Sequence, residues 1–468
     1  MNYTEINTKH FNYFKSKIGE LNIYYDDERC NHFASDHTEN LFFPPEIVLF
    51  PQSSKDVVCI LSYCNKHNIP ITPAGALTGL SGGALSVCRG VCLSMKNMNK
   101  IISIDEKNFQ AKVEPGVINE AFRQVLKKKN LFYPPDPASG GTCTLGGNFA
   151  LNAGGPKAVK YGVTSNYVLN LEIVLPNGEI FWTGANTLKN ATGYNLTQLI
   201  IGSEGTLGVI TKAVVKLITL PIEKILMLVP FYHNEDACNA VSSIMNKQIT
   251  PSALEFIESD AIHFVQNQNY AEVPFSLNSN IKSYLLIELD GNNKEKLFFD
   301  SEIIYNVLQK YQCDEILLAE TEMEQERIWK VRRSIGLAVK AYSIYKEEDT
   351  VVPRAYLAKL LKGVKDIGKE YNFRSICYGH AGDGNLHINI LKEDLNNYQW
   401  DIIIKEGIRK IFTLCVSLGG TISGEHGIGF VQKEYMDIPF VVENLKIQKK
   451  IKKVFDPNNI LNPNKIFI

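Results

Sequence analysis

The chain has 468 residues, of which 45% are hydrophobic and 21% charged, a composition typical of a globular protein that can bury a large core. Its 49 basic and 50 acidic residues give a formal net charge of -1, which argues against a protein built mainly to bind nucleic acid. The ten cysteines include no C-x-x-C pair, so neither a zinc ribbon nor a cysteine-ligated iron–sulfur cluster is predicted.

The first half of the chain is predicted to be mixed α/β and is rich in glycine. Residues 1–40 are polar and predicted to be helical, and the segment that follows Ser53 is predicted to be a capped amphipathic helix. The segments IPITPAG, VCLSM, IISI and AKVEPG are predicted strands, and VINEAFRQVLKKKN is a predicted helix. LNLEIVLPNGEIFW is predicted to be a hairpin.

The second half, after Pro221, alternates between predicted strands and helices. This pattern predicts an α+β sheet that helices cover on one face. Residues 354–371 and 401–417 are predicted to form two further helices, and the segment from Ile451 is predicted to be short and rich in turns. The predicted division of the chain is therefore 1–220, 221–420 and 421–468.

Three segments are too rich in glycine for the interior of a helix or strand. They are Pro73–Gly83, Pro134–Pro156 and Gly193–Thr211. Glycines allow a backbone to approach a ligand closely and to turn its N–H groups toward an anion. None of the three matches the Walker pattern or G-x-G-x-x-G, and each by itself would suit an ordinary loop. Together they predict one long ligand, such as a cofactor with a diphosphate link.

A second cluster of unusual residues lies near the C-terminus. The segment from Cys377 to Ile390 is predicted to be a strand, a glycine turn and a strand, with His387 and Asn389 on the face opposite the apolar side chains. About forty residues later, Glu425 and His426 stand side by side on a glycine-rich loop. Two histidines and a carboxylate can hold a catalytic divalent metal. Hydrogen-bonded histidines without a metal are the commoner alternative for these residues alone.

The order and wording of these segments resemble the FAD-linked oxidase family, the vanillyl-alcohol-oxidase-type flavoproteins, from about Ala34 to the C-terminus. The branch it resembles contains glycolate oxidase flavoprotein subunits, D-lactate dehydrogenases and D-2-hydroxyglutarate dehydrogenases. The resemblance implies a two-domain α+β fold. An FAD-binding domain of the PCMH type would take 1–220, a ferredoxin-like α+β cap would take 221–420, and 421–468 would return to the FAD domain.

In that family the first glycine segment cradles the FAD pyrophosphate, and the other two complete the groove. The family loop usually reads P-R-G-A-G-T-G-L-S-G-G, whereas this chain has Ala74 and Leu77, and Leu77 is expected to weaken FAD binding. Because the loop has no histidine, the FAD is expected to be non-covalent. The implied FAD-binding residues are Pro73, Gly75, Ala76, Thr78, Gly79, Leu80, Ser81, Gly82, Pro137, Gly141, Thr144, Gly146, Gly147, Asn152, Gly154, Gly155, Gly205 and Ile210.

The resemblance also assigns roles around the histidines. It implies that His380, His387 and Glu425 bind one divalent metal, with zinc expected from the ligand types and manganese or iron also suitable. It implies that Asn389 contacts the substrate and that His426 is the catalytic base. The family motif W-x-x-R points to Arg332 as the group that forks onto the substrate carboxylate, while Arg333 projects about 100° away around the helix.

The implied reaction is oxidation of a small D-2-hydroxyacid, glycolate or D-lactate, to the 2-oxoacid. D-2-hydroxyglutarate is the alternative substrate, but Glu347 stands where that branch has a lysine, with Lys346 one residue away. Two other functions stay open, a flavin-free metal-dependent hydrolase and a catalytically silent FAD-binding subunit. A protein with metal-dependent activity but no flavin would be the hydrolase. A protein that binds flavin but oxidises no substrate would be the silent subunit.

No NAD-binding motif is present, so the electrons are expected to pass to another acceptor, a quinone, a partner protein or oxygen. The resemblance to glycolate oxidases implies an iron–sulfur partner subunit, and a homo-oligomer is expected. No apolar run approaches the roughly 20 residues of a membrane helix, and the N-terminus lacks the regions of a signal peptide. The expected location is the cytoplasm, either free or peripheral to the inner membrane.

Overall fold

The structure is a computed structural model and describes residues 3–468. Residues 1 and 2, at the start of the segment predicted to be helical, lie outside the described residues. Contacts divide the chain into two compact units. Unit 1 holds the residues up to Ala153, Val163–Leu220 and Glu425–Ile468, and unit 2 holds Gly154–Gly162 and Pro221–Gly424. The second unit thus ends at Gly424 rather than at residue 420, and it includes nine residues from the earlier half of the chain.

The strands are, in chain order, β1 (Ile23–Tyr24), β2 (Ile47–Leu49), β3 (Ile71–Ala74), β4 (Val91–Ser94), β5 (Ile101–Asp105), β6 (Gln110–Val113), β7 (Leu131–Phe132), β8 (Val168–Val174), β9 (Ile180–Trp182), β10 (Val209–Lys216), β11 (Ile218–Thr219), β12 (Glu223–Phe231), β13 (Ala253–Glu258), β14 (Ser283–Gly291), β15 (Leu317–Ala319), β16 (Tyr345–Val351), β17 (Arg374–Gly379) and β18 (Asn385–Leu391).

The helices are, in chain order, α1 (Thr8–Ile18), α2 (Asp27–Asn31), α3 (Ser54–His67), α4 (Asn119–Lys127), α5 (Leu145–Leu151), α6 (Ala158–Tyr161), α7 (Leu196–Ile200), α8 (Asn234–Met245), α9 (Ser259–Asn267), α10 (Lys294–Leu308), α11 (Glu322–Tyr342), α12 (Leu357–Tyr371), α13 (Ile404–Ser417) and α14 (Val442–Phe455).

Unit 1 contains two main sheets. A four-stranded sheet has the order β1-β2-β4-β3, with parallel pairing among β2, β4 and β3, and an antiparallel five-stranded sheet has the order β5-β6-β10-β8-β9. Helix α3 begins where the sequence predicted it, because the Ser53 hydroxyl accepts the N–H of Asp56. It ends at Asn68, whose backbone is left-handed. Its apolar face packs with α1 and the four-stranded sheet in one core.

Unit 2 is built on a single seven-stranded antiparallel sheet of order β15-β12-β14-β13-β17-β18-β16. The elements β12-α8-β13-β14-α10-β15 follow the βαββαβ order of a ferredoxin-like fold, with α9 added after β13. Their strands take the order fourth, first, third, second. The strands β17, β18 and β16 then extend the sheet from β13.

Three sequence predictions about these elements were wrong. Both faces of the large sheet are covered, because the alternating side chains Leu285 and Leu286 of β14 are equally buried. The strand is a continuous apolar run, which is typical of burial on both faces. Residues 1–40 include the short strand β1 as well as helices, and a full helix, α14, precedes the turns of the C-terminal segment.

Candidate active site

The three glycine-rich segments meet within unit 1. A Cβ atom placed on Gly75 would stand 2.5 Å from Thr144 Oγ1 and 3.7 Å from the Cα of Gly147. A Cβ atom on Gly205 would stand 3.3 Å from the side chain of Pro73. A side chain on Gly75 would therefore collide with the Thr144 hydroxyl, and the first and second segments are in contact at this point. This convergence is the arrangement that one long ligand lying across several loops requires.

The other predicted cofactor residues are spread around this junction. Thr144 caps α5 by accepting the N–H of Gly147, and Gly146 packs so closely on Pro115 that an added Cβ would stand 2.5 Å from it. Asn152 ends α5 in a left-handed conformation. Of the remaining residues, Ser81, Gly82 and Ile210 are buried, Thr78, Gly79, Leu80 and Pro137 are half-buried, and Ala76 and Gly141 are exposed. Gly154 and Gly155 belong to unit 2.

Leu77 keeps the backbone conformation of a glycine. Its φ is 58°, in the left-handed region that favours glycine, which is the residue the family has at this position. Its side chain packs against the buried cluster of Cys30, Val48, Phe50, Ala74 and Cys92. The side chain therefore points into the protein interior, and the loop follows the path that glycine would take.

Two residues of the glycine segments hold the segment that follows His426. The Glu204 carboxylate accepts the N–H of Ile428 at 2.8 Å and the N–H of Gly429 at 2.7 Å. The Ser81 hydroxyl donates to the backbone carbonyl of His426 at 3.0 Å. Burial raises the pKa of Glu204 to about 6, although the two N–H groups and Lys465 oppose that rise. The sequence analysis missed Glu204, although it lies in a segment that was singled out.

In unit 2, a polar cluster lies on the sheet face that also carries α9 and α11. His387 of β18 is paired with Tyr378 of β17 on one side and with Asp349 of β16 on the other. His380 directly follows β17, and its ring lies 5.3 Å from the His387 ring, centroid to centroid and nearly perpendicular. Both histidines are buried. The structure thus brings the two predicted histidines together on one side of the sheet.

Glu255 of β13 is an acidic partner of His380. The His380 Nδ1 lies 2.8 and 2.9 Å from the two carboxylate oxygens. Burial raises the pKa of the Glu255 carboxyl, but His380 and Arg332 lower it more, and the net pKa is below the ordinary value. Since an ionised carboxylate can only accept, the proton of this hydrogen bond is on Nδ1 of His380. Nε2 is then the ring nitrogen through which His380 could coordinate a metal.

Arg332 projects from α11 into the same cluster. Its side chain is 7% exposed, its Nε donates to Glu255 at 3.0 Å, and its Nη2 lies 2.7 Å from the same oxygen. The guanidinium stands 5.0 Å from the centroid of the Tyr378 ring. The neighbouring Arg333 is 47% exposed and pairs with Glu326. The helix therefore separates the two arginines as their angular spacing predicted.

Asp349 organises the other side of the cluster. Its carboxylate accepts the amide of Asn385 at 2.7 Å, the backbone N–H of Gly424 at 2.8 Å and the hydroxyl of Ser423 at 3.1 Å. One of its oxygens lies 3.5 Å from Nδ1 of His387. Asp349 therefore anchors the end of unit 2 through Ser423 and Gly424. Glu425 and His426, which follow directly, belong to unit 1.

Asn389 and Glu347 occupy facing positions on β18 and β16. Asn389 is fully buried, and its amide lies beside the Tyr378 hydroxyl, a contact that opposes the rise in the Tyr378 pKa. Glu347 Oε1 lies 3.9 Å from Nδ1 of His387. Burial also raises the pKa of the Tyr378 hydroxyl well above its ordinary value.

Sequence reasoning missed Glu255, Asp349 and Tyr378 as members of this cluster. Glu255 carried a signal, because it is a carboxylate inside the otherwise apolar strand segment ALEFI. Asp349 begins the D-x-x-x-P stretch, which was used only to locate Glu347. No local pattern marks Tyr378, which becomes a neighbour of His387 only through the pairing of β17 with β18.

Comparisons with known proteins identify the family of the chain. Residues 45–184 match the family described as FAD binding domain, and residues 220–466 match that described as FAD linked oxidases, C-terminal domain. The chain is 37% identical over 449 residues to the glycolate oxidase subunit GlcD of Bacillus subtilis, covering 95% of this chain and 94% of that protein. It is 39% identical to a D-lactate dehydrogenase of Anaerostipes hadrus (90% and 89%) and 31% identical to a D-2-hydroxyglutarate dehydrogenase of Stutzerimonas stutzeri (94% and 95%).

The fold has clear counterparts among solved structures. It matches p-cresol methylhydroxylase with a TM-score of 0.80 at 19% identity, covering 99% of this chain and 98% of that one. It matches alkyldihydroxyacetonephosphate synthase with a TM-score of 0.76 at 19% identity, covering 99% and 87%. The chain belongs to the FAD-linked oxidase family, the vanillyl-alcohol-oxidase-type flavoproteins, and has the PCMH-type fold. Among the helices of residues 3–468, none combines the length and apolar character needed to cross a bilayer.

Proposed function

We propose that this protein oxidises a small D-2-hydroxyacid, glycolate or D-lactate, to the 2-oxoacid, with FAD as its cofactor. One observation carries the proposal: a buried arginine, two buried histidines and a buried asparagine share one face of the large sheet. These are the groups that recognition of a carboxylate and a neighbouring hydroxyl requires. Relatives named glycolate oxidase subunit and D-lactate dehydrogenase, each covered over most of its length, support the same class of reaction.

The glycine segments suit FAD bound without a covalent link. Pro73, Gly75, Thr144, Gly147 and Gly205 converge where a backbone cradle needs close approach. The first segment has no histidine to which a flavin could be joined. When bound, FAD supplies the two-electron acceptor for the hydride that leaves C2 of the substrate.

We propose His380, His387 and Glu425 as the ligands of one divalent metal. The two imidazoles are buried neighbours, and Glu425 follows Gly424, whose N–H is held by Asp349 beside His387. Two nitrogens and one carboxylate are a donor set that suits zinc, and manganese or iron could also bind. Such a metal supplies a Lewis acid that lowers the pKa of a coordinated hydroxyl.

Side chains of this protein bind the substrate and accept its proton. Arg332 forks onto the substrate carboxylate, since a guanidinium and a carboxylate match in geometry and charge. Asn389 offers its buried amide to the substrate. His426 accepts the hydroxyl proton as general base. The Arg332 guanidinium keeps its orientation because Glu255 and the Tyr378 ring confine it on two sides.

Glu347 favours a short substrate over D-2-hydroxyglutarate. It lies on the cluster face opposite Asn389 and close to His387, so a second substrate carboxylate would meet a like charge there. Lys346 precedes it on the strand, and alternation directs its side chain to the other face. The relative that is named D-2-hydroxyglutarate dehydrogenase keeps the dicarboxylate as the second candidate substrate.

The electron acceptor is proposed to be a quinone or an iron–sulfur partner subunit. Two relatives are named as subunits of glycolate oxidase, one from Bacillus subtilis and one from Escherichia coli, which supports an assembly with a partner. This chain has no cysteine pattern for a cluster of its own. A cytoplasmic location, either free or peripheral to the inner membrane, and a homo-oligomeric state remain predictions.

An anaerobic bleaching screen tests the proposed reaction. The purified protein should be yellow, and glycolate or D-lactate should bleach the flavin faster than L-lactate or D-2-hydroxyglutarate. Colourless protein with hydrolytic activity would favour the flavin-free hydrolase, and yellow protein that no hydroxyacid bleaches would favour the silent subunit. Acid precipitation should release the FAD into the supernatant, whereas a yellow pellet would contradict non-covalent binding.

Alanine variants of the histidines test the assigned roles. His380→Ala and His387→Ala should lose metal and activity together while keeping FAD, because the glycine segments that converge lie in the other unit. His426→Ala should keep metal and FAD and slow flavin reduction by about 10²- to 10⁴-fold. The exposed His233 of unit 2 provides the control, since His233→Ala should change none of these quantities. Retention of metal by His387→Ala, or its loss from His426→Ala, would show that the roles are wrong.

A further inference from the structure

Glu255 contacts two different groups of the cluster in unit 2, the His380 imidazole and the Arg332 guanidinium. It is fully buried on β13, one register position beyond the pairing of Phe256 with Gly379, and so stands opposite His380. Its carboxylate accepts from His380 Nδ1 and from Arg332 Nε. The imidazole is the proposed metal ligand, and the guanidinium is the proposed carboxylate anchor. One buried carboxylate therefore joins two groups that would otherwise be independent.

The contact with His380 has a definite consequence for the imidazole. A carboxylate that accepts the Nδ1 proton fixes the tautomer, the ring orientation and the basicity of the other nitrogen. Without it, the ring could rotate or carry its proton on Nε2, and either change would move the lone pair away from the position where a metal would bind. The contact therefore prepares His380 as a ligand before any metal arrives.

The contact with Arg332 has a consequence for the substrate. Burying a guanidinium is costly unless an anion and hydrogen bonds compensate it, and Glu255 supplies both on the Nε edge. Glu255 occupies the edge formed by Nε and Nη2, so a second carboxylate would approach from the Nη1 side. The Tyr378 ring on one face prevents the side chain from swinging away.

We propose that Glu255 is a positioning residue that sets the His380 ring for metal binding and the Arg332 guanidinium for substrate binding at the same time. The inference rests on the proposed function, since it assumes that His380 holds a metal and Arg332 the substrate carboxylate. It goes further by making metal affinity and substrate affinity depend on one carboxylate that touches neither ligand.

The test is Glu255→Gln in the FAD-loaded full-length protein. Substitution of such a hydrogen-bond partner of a metal ligand typically costs about 10- to 100-fold in metal affinity, and that loss is expected here for Zn²⁺ and Co²⁺. Affinity is measured by competition with a chromophoric chelator in the absence of substrate, so the readout does not depend on turnover. The KM for glycolate should rise as well, with FAD content unchanged.

Glu288→Gln is the matched control. Glu288 is also buried on this face of the sheet, on β14, where it pairs with Lys157 and accepts the indole N–H of Trp329. Its loss should lower the melting temperature but leave metal affinity and KM near the wild-type values. Glu255→Asp keeps the charge but shortens the reach, so it should fold and should show an intermediate loss of metal affinity or an intermediate rise in KM.

The outcomes distinguish failure of the proposed metal site from failure of the proposed role of Glu255. If the wild-type protein binds no divalent metal, the proposed metal site fails first. If the wild-type binds metal and both Glu255 variants bind it equally well with unchanged KM, the proposed function stands and the role of Glu255 is wrong. Equal losses in the Glu255 and Glu288 variants would also overturn it, because they would indicate general damage to the sheet.

Discussion

Glu204 makes a prediction about pH that can be worked out from the structure. The residue is 7% exposed, and burial raises its pKa from 4.5 to about 6. Because the folded-state pKa is above the unfolded value, the stability that Glu204 contributes is fully present below pH 4.5 and is lost as the pH rises through 6. The substitution Glu204→Gln replaces the carboxylate by a neutral group of the same shape that cannot ionise.

The size of the effect follows from the shift. A rise of about 1.5 units corresponds to about 2 kcal/mol of lost stability once Glu204 is ionised. About 1.5 kcal/mol of this falls between pH 4.5 and 7. The comparison stops at pH 7 because burial lowers the pKa of the neighbouring Lys465 to about 8. At higher pH the titration of Lys465 would add to that of Glu204. The Gln variant loses at least one acceptor for the N–H groups of Ile428 and Gly429, which is a cost that does not depend on pH.

The assay is a comparison of melting temperatures for the wild type and Glu204→Gln at pH 4.5 and pH 7. From pH 4.5 to pH 7, the free energy of unfolding of the variant should rise by about 1.5 kcal/mol relative to that of the wild type. This corresponds to roughly 3 °C in melting temperature for a unit of this size. The difference between the two proteins removes the contributions of all other carboxyl groups. If both proteins change by the same amount between the two pH values, the burial argument for Glu204 is refuted.

Three further predictions concern the cofactor loop and the substrate. Leu77→Gly should change FAD affinity less than several-fold, because the side chain packs into the interior, and a large gain in a flavin-fluorescence titration would contradict this. The free energy of unfolding should change by less than about 1 kcal/mol, since about 1–2 kcal/mol of relieved backbone strain offsets the lost packing. Arg332→Lys should lower kcat/KM for glycolate by about 10- to 100-fold through loss of the fork, while the exposed Arg333→Lys should stay near wild type. Equal effects in the two variants would exclude a special role for Arg332. Glu347→Lys should raise kcat/KM for D-2-hydroxyglutarate relative to glycolate, and an unchanged ratio would remove Glu347 from the specificity argument.

The patterns that the sequence resolved are local ones. The start of α3 at Ser53, the hairpin of β8 and β9, and the separation of His387 and Asn389 from the apolar face of β18 all depend on residues a few positions apart. Helical and strand periods are properties of the local backbone, so they can be read before the fold is known. The glycine segments were also visible, because glycine at that density is incompatible with regular elements.

What only the tertiary structure decided is which distant residues become neighbours. Glu255 lies 77 positions from Arg332 and 125 from His380, and the three meet because β13 pairs with β17 and α11 packs over the same face. Strand order and register are set by the burial of whole faces rather than by any local pattern. The inward direction of the Leu77 side chain has the same origin. It depends on a cluster drawn from separate parts of unit 1, which no stretch of sequence contains.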